Sequence, residues 1–186
     1  TGTGAAPVIA EIAKDMGILT VAVVSRPFRF EGKKRSSIAE EGIKKLSGYV
    51  DLLITIDNEK IIRTLGGNTS LLEYFNTVNE AQLEVVQGVS SLIVRAGMIN
   101  VDFADIRTVM SGMGQAAAGT GRAAGKGRAR IATEEAVNSL LLEGVDLQDA
   151  LGILVSITAG EDMSLDEFSD AADIVGEYAS DSATMV

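Results

Sequence analysis

Two short, largely apolar runs constrain the fold more than any other feature of this chain. They occupy residues 18–24 and 50–56, and each has the length and composition of a strand buried on both faces. Helical patterns at 7–16, 36–46 and about 58–65 alternate with them. Strands that alternate with helices pair in parallel through right-handed crossovers. The first third of the chain therefore predicts an α/β fold built on a parallel sheet.

The longest helical pattern begins after a pair of glycines, Gly66 and Gly67, that end the preceding helix. Ser70 and Glu73 have the spacing of a capping box, in which each side chain bonds to the other residue's backbone N–H. Apolar residues then recur at helical spacing to about Val94, which corresponds to about 37 Å of helix. A helix of this length can separate two functional surfaces.

The remaining chain alternates helix and strand signals less regularly. Ser164 and Glu167 have the spacing of a second capping box, which predicts a helix to about Tyr178. The other predicted elements are helices at 102–112 and 128–141, a glycine-rich strand with close neighbours at 113–123, a strand at 151–158 and a strand beginning at 183–186.

The segment at residues 100–105 is a candidate for chemistry. Asp102 is placed to cap the helix that follows, and Asp105 lies in its first turn on nearly the same face. A helix N-terminus favours negative charge, and paired carboxylates suit polarising a water or engaging a cation. The alternative is a capped helix start without chemistry, which is common in proteins.

A second candidate opens the chain. The run Thr1-Gly2-Thr3-Gly4 leads directly into a predicted helix with Pro7 in its first turn. Glycines allow a ligand to approach the backbone, and the exposed amides of a helix start bind phosphate oxygens. A short glycine–threonine run by itself is equally typical of an ordinary turn.

Composition excludes several classes of function. The chain has no histidine and no cysteine, which removes imidazole bases, histidine and thiolate metal sites, and disulfides. A formal net charge of −10 opposes nonspecific binding to nucleic acid or acidic lipid. The local basic cluster of Arg26, Arg29, Lys33, Lys34 and Arg35 is either an anion site or a solvated surface loop. The sequence contains no apolar run of membrane-spanning length.

Taken together, these motifs resemble the FtsZ family, the tubulin-like GTPases of bacterial cell division. The similarity runs over essentially the whole chain and keeps the order of the family's motifs. The matching segments are 1–7, 19–24, 26–28, 30–35, 53–56, 98–105, 107–111, 152–160 and 179–181.

The resemblance implies a tubulin-like GTPase fold divided into three parts. Residues 1–70 would be a partial GTP-binding domain with a parallel sheet. Residues 71–96 would be the central helix, and residues 97–186 part of a smaller α+β activation domain. The chain begins inside the family's glycine signature and ends in an opening strand, so we expect an internal piece that lacks both ends.

The resemblance also implies a set of nucleotide-binding residues. They would form a phosphate loop, a ribose and phosphate side, and a base-contacting pair one helical turn apart. The phosphate loop would be Thr1, Gly2, Thr3 and Gly4. The ribose and phosphate side would be lined by Glu31 and Arg35, and the base-contacting pair would be Phe75 and Asn79. Stacking on a phenyl ring and amide hydrogen bonds to guanine suit the last pair. The alternatives are core packing for Phe75 and a solvated helix position for Asn79.

Asn100, Asp102 and Asp105 match the family's activating loop, which inserts into the nucleotide site of the next subunit. The resemblance implies that these residues position and polarise the water that attacks GTP, which yields GDP and phosphate. Magnesium would be held mainly through phosphates and water, so no protein metal site is expected. Hydrolysis would then occur only across the subunit interface.

The resemblance implies a head-to-tail homopolymer in the cytoplasm at the mid-cell division ring. Other division proteins would bind through a C-terminal tail absent from this chain, without nucleic-acid binding or direct membrane insertion. We expect the isolated 186-residue piece to be inactive. The alternative is a non-catalytic interaction module that docks on an intact subunit and caps a filament.

Overall fold

The computed structural model describes residues 2–65, 69–94, 102–110, 114–142, 145, 147–180 and 183–185. The chain forms two compact units. The first comprises Thr1–Leu83 with Met110–Ala117, and the second comprises Glu84–Val109 with Ala118–Val186. The division at residues 70 and 96 remains a prediction.

Seven helices and five strands follow one another in the described part of the chain. They are α1 (Gly2–Asp15), β1 (Val21–Arg26), α2 (Lys33–Leu46), β2 (Leu52–Asp57), α3 (Asn58–Thr64), α4 (Leu71–Val94), α5 (Phe103–Met110), β3 (Gly114–Ala116), α6 (Arg128–Val137), β4 (Gly152–Ile153), α7 (Leu165–Tyr178) and β5 (Thr184–Met185). None of the helices among these residues combines the length and apolar character that crossing a membrane requires.

The sheet of the first unit is parallel, as the alternating pattern predicts. Its strand order is β1-β2-β3. The β1–β2 register runs from Val21 opposite Leu52 to Arg26 opposite Asp57. The strands therefore end level with each other, and both carboxyl ends lie at one edge of the sheet.

Aliphatic side chains from α1, α2 and β2 form the core of this unit. Ala10, Ile43, Leu46 and Leu53 make one buried cluster. Each fully buried Leu or Ile side chain contributes about 1.5–3 kcal/mol relative to an exposed one. The helices are thereby fixed on one face of the sheet.

Helix α1 begins earlier than the sequence predicts, at Gly2 instead of Pro7. Ala5 and Ala6 favour helix. Thr3 also lies against Gly42 of α2, so tertiary packing helps to hold the early turn in helical form. Pro7 therefore falls in the helix interior, where it is tolerated although it has no N–H to donate. The helix ends at Asp15, close to the predicted end at residue 16, and Gly17 beyond it has a φ of 70°.

The second unit is organised around α6 and α7. The predicted capping box of α7 is confirmed, with Ser164 N donating to Glu167 Oε2 at 2.9 Å and Glu167 N donating to Ser164 Oγ at 3.2 Å. Arg128, the first residue of α6, bonds to the same carboxylate and to Asp162 Oδ2, at 2.9 and 2.8 Å. The pKa of Glu167 is lowered to about 2, mainly by the hydrogen bond from Arg128 and secondly by the one from the Ser164 N–H. The Arg128 cluster thus ties the starts of α6 and α7 together.

Two predicted strands in the second half of the chain are shorter than expected. The run at 151–158 forms strand only at Gly152–Ile153, where β5 pairs with it in parallel. Of the run at 113–123, the described residues 114–123 form strand only at Gly114–Ala116, beside β2. A strand extends only where a neighbouring strand supplies hydrogen-bond partners, which an apolar run does not reveal.

Gly119 and Gly121, beyond the end of β3, pack directly on the backbone of α6. A Cβ atom at Gly121 would overlap the carbonyl oxygen of Ala132, and one at Gly119 would overlap that of Ala136. The close neighbours predicted for this glycine-rich segment are therefore confirmed, but they belong to a helix.

We expect Gly121→Ala to lower the free energy of unfolding by about 1–3 kcal/mol, because helix backbone cannot move aside cheaply. Gly88→Ala is the matched control, since a Cβ at Gly88 meets open space within α4. The control should be neutral or should stabilise by up to about 1 kcal/mol. Urea denaturation measures both, and equal stability of the two variants would contradict the packing described here.

Candidate functional site

The carboxyl edge of the first sheet carries several of the predicted site residues. In open parallel sheets, ligands bind in the crevice beyond the carboxyl ends of the strands. Strand β1 leads there into a turn at residues 27–32, which we call the β1–α2 turn. Strand β2 leads into α3, whose first N–H groups are capped when Asp57 Oδ1 accepts a hydrogen bond from Glu59 N at 2.9 Å.

Two carboxylates anchor the backbone of the β1–α2 turn. Glu31 Oε1 accepts a hydrogen bond from Phe28 N at 3.0 Å. Its other oxygen, Oε2, is paired with Arg35 Nη1 one helical turn further on. Glu59 Oε1, from α3, accepts from Arg29 N at 2.8 Å. The structure therefore brings the predicted residues Glu31 and Arg35 together at this edge.

The three arginines of the basic cluster at this edge each lie beside a carboxylate. Arg26 Nε lies 2.6 Å from Glu40 Oε1, and this hydrogen bond raises the pKa of Arg26. Arg29 Nε lies 3.7 Å from Glu59 Oε2. With Arg35 bound to Glu31, each of the three arginines has a carboxylate beside it. Of the two interpretations left open by the sequence, a simple anion site formed by the whole cluster is therefore disfavoured.

Three phenylalanines form a continuous group beside the turn. Phe28 is buried, with 2% of its surface exposed, and stacks on Phe30 with ring centroids 4.9 Å apart. The Phe75 ring, from α4, lies 5.5 Å from that of Phe28 at an interplanar angle of 88°. Phe75 remains 41% exposed, so core packing does not account fully for it. Asn79, one turn further along α4, is exposed.

Asn58 is a site candidate that the sequence analysis missed. It is the first residue of α3, is 6% exposed, and its Oδ1 has no hydrogen-bond partner within the described residues. A buried polar atom without a partner costs about 1–3 kcal/mol. The sequence did contain a signal for this residue, namely a polar side chain directly after the carboxyl end of a buried strand.

The glycine–threonine run lies in the first turn of α1. Gly2, Thr3 and Gly4 are exposed, and the first amides of the helix have no partner inside it. The methyl group of Thr3 covers Gly42 of α2. Thr1 lies outside the described residues.

The aspartates lie in the second unit. Asp102 Oδ1 accepts a hydrogen bond from Ala104 N at 3.2 Å, and its carbonyl accepts from Asp105 N at 2.9 Å. The predicted capping role of Asp102 is thus confirmed. Asp102 and Asp105 are both exposed at the start of α5. Asn100 lies outside the described residues.

Metal ligands and cavities add little to this site. Across the part of the chain that the structure describes, no group of three or more His, Cys, Asp or Glu side chains could hold a metal ion. A cavity of about 250 Å³ lies where the strands begin, next to Tyr49, Asp51 and Gly114. Asp51 is already bonded to Thr20 N at 2.9 Å, and no predicted site residue lines this cavity.

Comparison with known families accounts for both units. Residues 1–66 match the model described as the Tubulin/FtsZ family, GTPase domain. Residues 114–186 match the FtsZ family, C-terminal domain. The chain belongs to the FtsZ family. The fold class is accordingly the tubulin-like one implied by the sequence motifs.

Relatives support this membership along the whole chain. The chain is 58% identical over 186 residues to "Cell division protein FtsZ" of Coxiella burnetii, covering 100% of the chain and 48% of the relative. It is 59% identical over 185 residues to the protein of that name from Pseudomonas aeruginosa, covering 100% of the chain and 47% of the relative. The chain thus spans about half the length of these curated FtsZ relatives.

Solved structures give the same fold. "FtsZ dimer, empty (M. jannaschii)" superimposes with a TM-score of 0.91 at 40% identity, covering 100% of this chain and 55% of that one. CetZ from Methanosaeta thermophila superimposes with a TM-score of 0.77 at 18% identity, over 100% of this chain and 53% of its own. The second similarity shows the fold alone.

The packing of Thr3 on Gly42 gives a test of the FtsZ glycine–threonine turn. A Cβ at residue 42 would overlap the Thr3 methyl group. Gly42→Ala should therefore gain less than the roughly 1 kcal/mol expected for this change in a helix, or should destabilise. In a Thr3→Ser background the methyl group is gone, and the full gain should return. Urea denaturation of the four proteins measures the coupling, and strict additivity would show that α1 does not begin against α2.

Proposed function

We propose that this chain contributes to the binding and hydrolysis of GTP in bacterial cell division. The observation that carries the proposal is the buried Asn58 Oδ1, which has no partner among the described residues. It lies where ligands bind parallel sheets, at the carboxyl end of β2. A hydroxyl or amino group of a bound nucleotide would satisfy it.

The other residues of the first unit fit parts of the same ligand. The free amides at the start of α1, where Gly2, Thr3 and Gly4 lie, suit phosphate oxygens. Glu31 and Arg35 suit the ribose and phosphate side. Phe75 offers an exposed ring for stacking, and the Asn79 amide suits the hydrogen-bonding edge of guanine.

We propose that magnesium is held mainly through the nucleotide phosphates and water, as this strongly hydrated ion usually is at phosphate sites. Bound in that way, it would offset charge on the phosphates during transfer. The chain's own contribution to offsetting phosphate charge would come from the α1 amides, with the Glu31–Arg35 pair lining the ribose and phosphate side.

Hydrolysis on this proposal takes place between two copies of the chain. Asp102 and Asp105, with Asn100, orient and polarise the attacking water on the nucleotide of the next copy. The division of the residues supports this arrangement, since the nucleotide-binding residues belong to the first unit and the aspartates to the second. A dimer has been solved for the M. jannaschii relative.

Repeated head-to-tail contact of this kind generates a filament. We propose that such filaments form the division ring at mid-cell in the cytoplasm, as the names of the cell-division relatives suggest. We propose that these filaments also bind other proteins of the division machinery.

The test is GTP turnover by the full-length protein that contains these residues, scored beside GTP binding. Asp102→Ala and Asp105→Ala should each leave binding within about twofold and lower turnover by about 100-fold or more, as expected for loss of a group that assists proton transfer. Asp166→Ala is the matched control, because Asp166 is an exposed carboxylate in the first turn of another helix, α7. Its turnover should be unchanged.

Three results would contradict the proposal in different ways. Unchanged turnover in both variants would reduce Asp102 and Asp105 to helix-capping and surface roles. Loss of GTP binding together with turnover would place the aspartates in ligand binding and not in the chemical step. Absence of GTP binding by the unmodified protein would refute the nucleotide site itself.

A further inference from the structure

The buried ring of Phe28 lies between two exposed rings. Phe30, stacked on it, is 63% exposed, and Phe75, nearly perpendicular to it, is 41% exposed. Phe28 itself is 2% exposed and is among the largest fully buried side chains. A ring so deeply buried has little access to a ligand, so its influence on the site must pass through its neighbours.

The position of Phe28 is fixed by its backbone. Its N–H is bonded to Glu31 Oε1, and the next N–H, of Arg29, is bonded to Glu59 Oε1. These two carboxylates come from the β1–α2 turn and from α3, so the backbone around Phe28 is held from two sides. The Phe28 ring therefore provides a fixed surface against which other rings can pack.

Phe75 packs against the Phe28 ring from a different element. It is on α4, 47 residues further along the chain, and its ring is nearly perpendicular to that of Phe28. Perpendicular aromatic pairs are favoured because the positive edge of one ring meets the negative face of the other. Such a contact covers at most one face of Phe75, which leaves a face for a flat ligand.

Stacking depends on ring orientation, and an exposed phenylalanine side chain otherwise samples several rotamers. Contact with the fixed Phe28 ring reduces the number of rotamers open to Phe75 before the ligand binds. Preorganisation of this kind raises affinity by reducing the ordering cost of binding.

We propose that Phe28 is a positioning residue that orients the Phe75 ring for stacking on the nucleobase. This inference rests on the proposed nucleotide-binding function. On this inference, affinity for the nucleobase depends on the buried Phe28 of the β1–α2 turn as well as on the exposed Phe75 of α4.

The experiment is a double-mutant cycle on the affinity for GDP, measured by isothermal titration calorimetry. Phe28→Leu keeps an apolar side chain but removes the aromatic ring that contacts Phe75. Phe75→Leu removes the ring proposed to stack on the base. Phe28→Leu alone should weaken GDP binding about fivefold, in line with the worth of an aromatic pair. In the Phe75→Leu background the same change should weaken binding by less than about 1.5-fold, because no ring remains to be oriented.

Leu46→Ala is the control for a loss of stability. Leu46 is buried in the cluster of α1, α2 and β2, away from the three rings. Its effect on GDP affinity should be the same with and without Phe75. Circular dichroism verifies that each variant is folded under the conditions of the titration.

The outcomes separate this inference from the function on which it rests. If the unmodified protein binds GDP and Phe28→Leu weakens binding equally in both backgrounds, Phe28 has a general structural role and the inference is wrong. If Phe28→Leu has no effect in either background, the inference is also wrong. If the unmodified protein does not bind GDP, the proposed function fails, and the inference fails with it.

Discussion

The parallel pairing of β1 with β2 is the constraint on which the rest of the first unit depends. Because Arg26 lies opposite Asp57, the two strands end level with each other. The β1–α2 turn and the start of α3 therefore emerge side by side. This is why Glu59 can reach Arg29 N from another element. Asn58, which is buried, directly precedes Glu59 at the start of α3.

Carboxylates organise this edge, for which the sequence left open either an anion site or a solvated basic loop. Glu31, Glu40 and Glu59 each lie beside an arginine, and Glu31 and Glu59 also bind backbone N–H groups of the turn. The turn is thereby stiffened while its positive charge is offset. A ligand approaching the edge would meet a preformed backbone and an exposed Phe75 ring rather than an open patch of positive charge.

Local signals predicted the parts of the fold that are decided locally. The apolar runs became β1 and β2, and the capping box at Ser164 and the cap at Asp102 formed as their spacing indicated. The family's motifs also located Glu31 and Arg35, which the structure brings together.

Local signals could not predict contacts between residues that are distant in the sequence. The ring of Phe28 meets that of Phe75, and Thr3 meets Gly42, only because the sheet and helices pack as they do. Neither residue type nor spacing encodes such a meeting. The early start of α1 and the short extent of β4 have the same origin, since each depends on a neighbouring element that supplies packing or hydrogen bonds.

The central claim, an active site shared between copies, is tested most directly by mixing two inactive proteins. One carries Asp102→Ala and Asp105→Ala, and the other carries Phe75→Ala and Asn79→Ala. The first retains the nucleotide-binding residues and the second retains the aspartates. In an equimolar mixture, GTP turnover should rise well above the sum of the two proteins measured separately. Turnover equal to that sum, with co-assembly of the two proteins verified by sedimentation, would contradict the account.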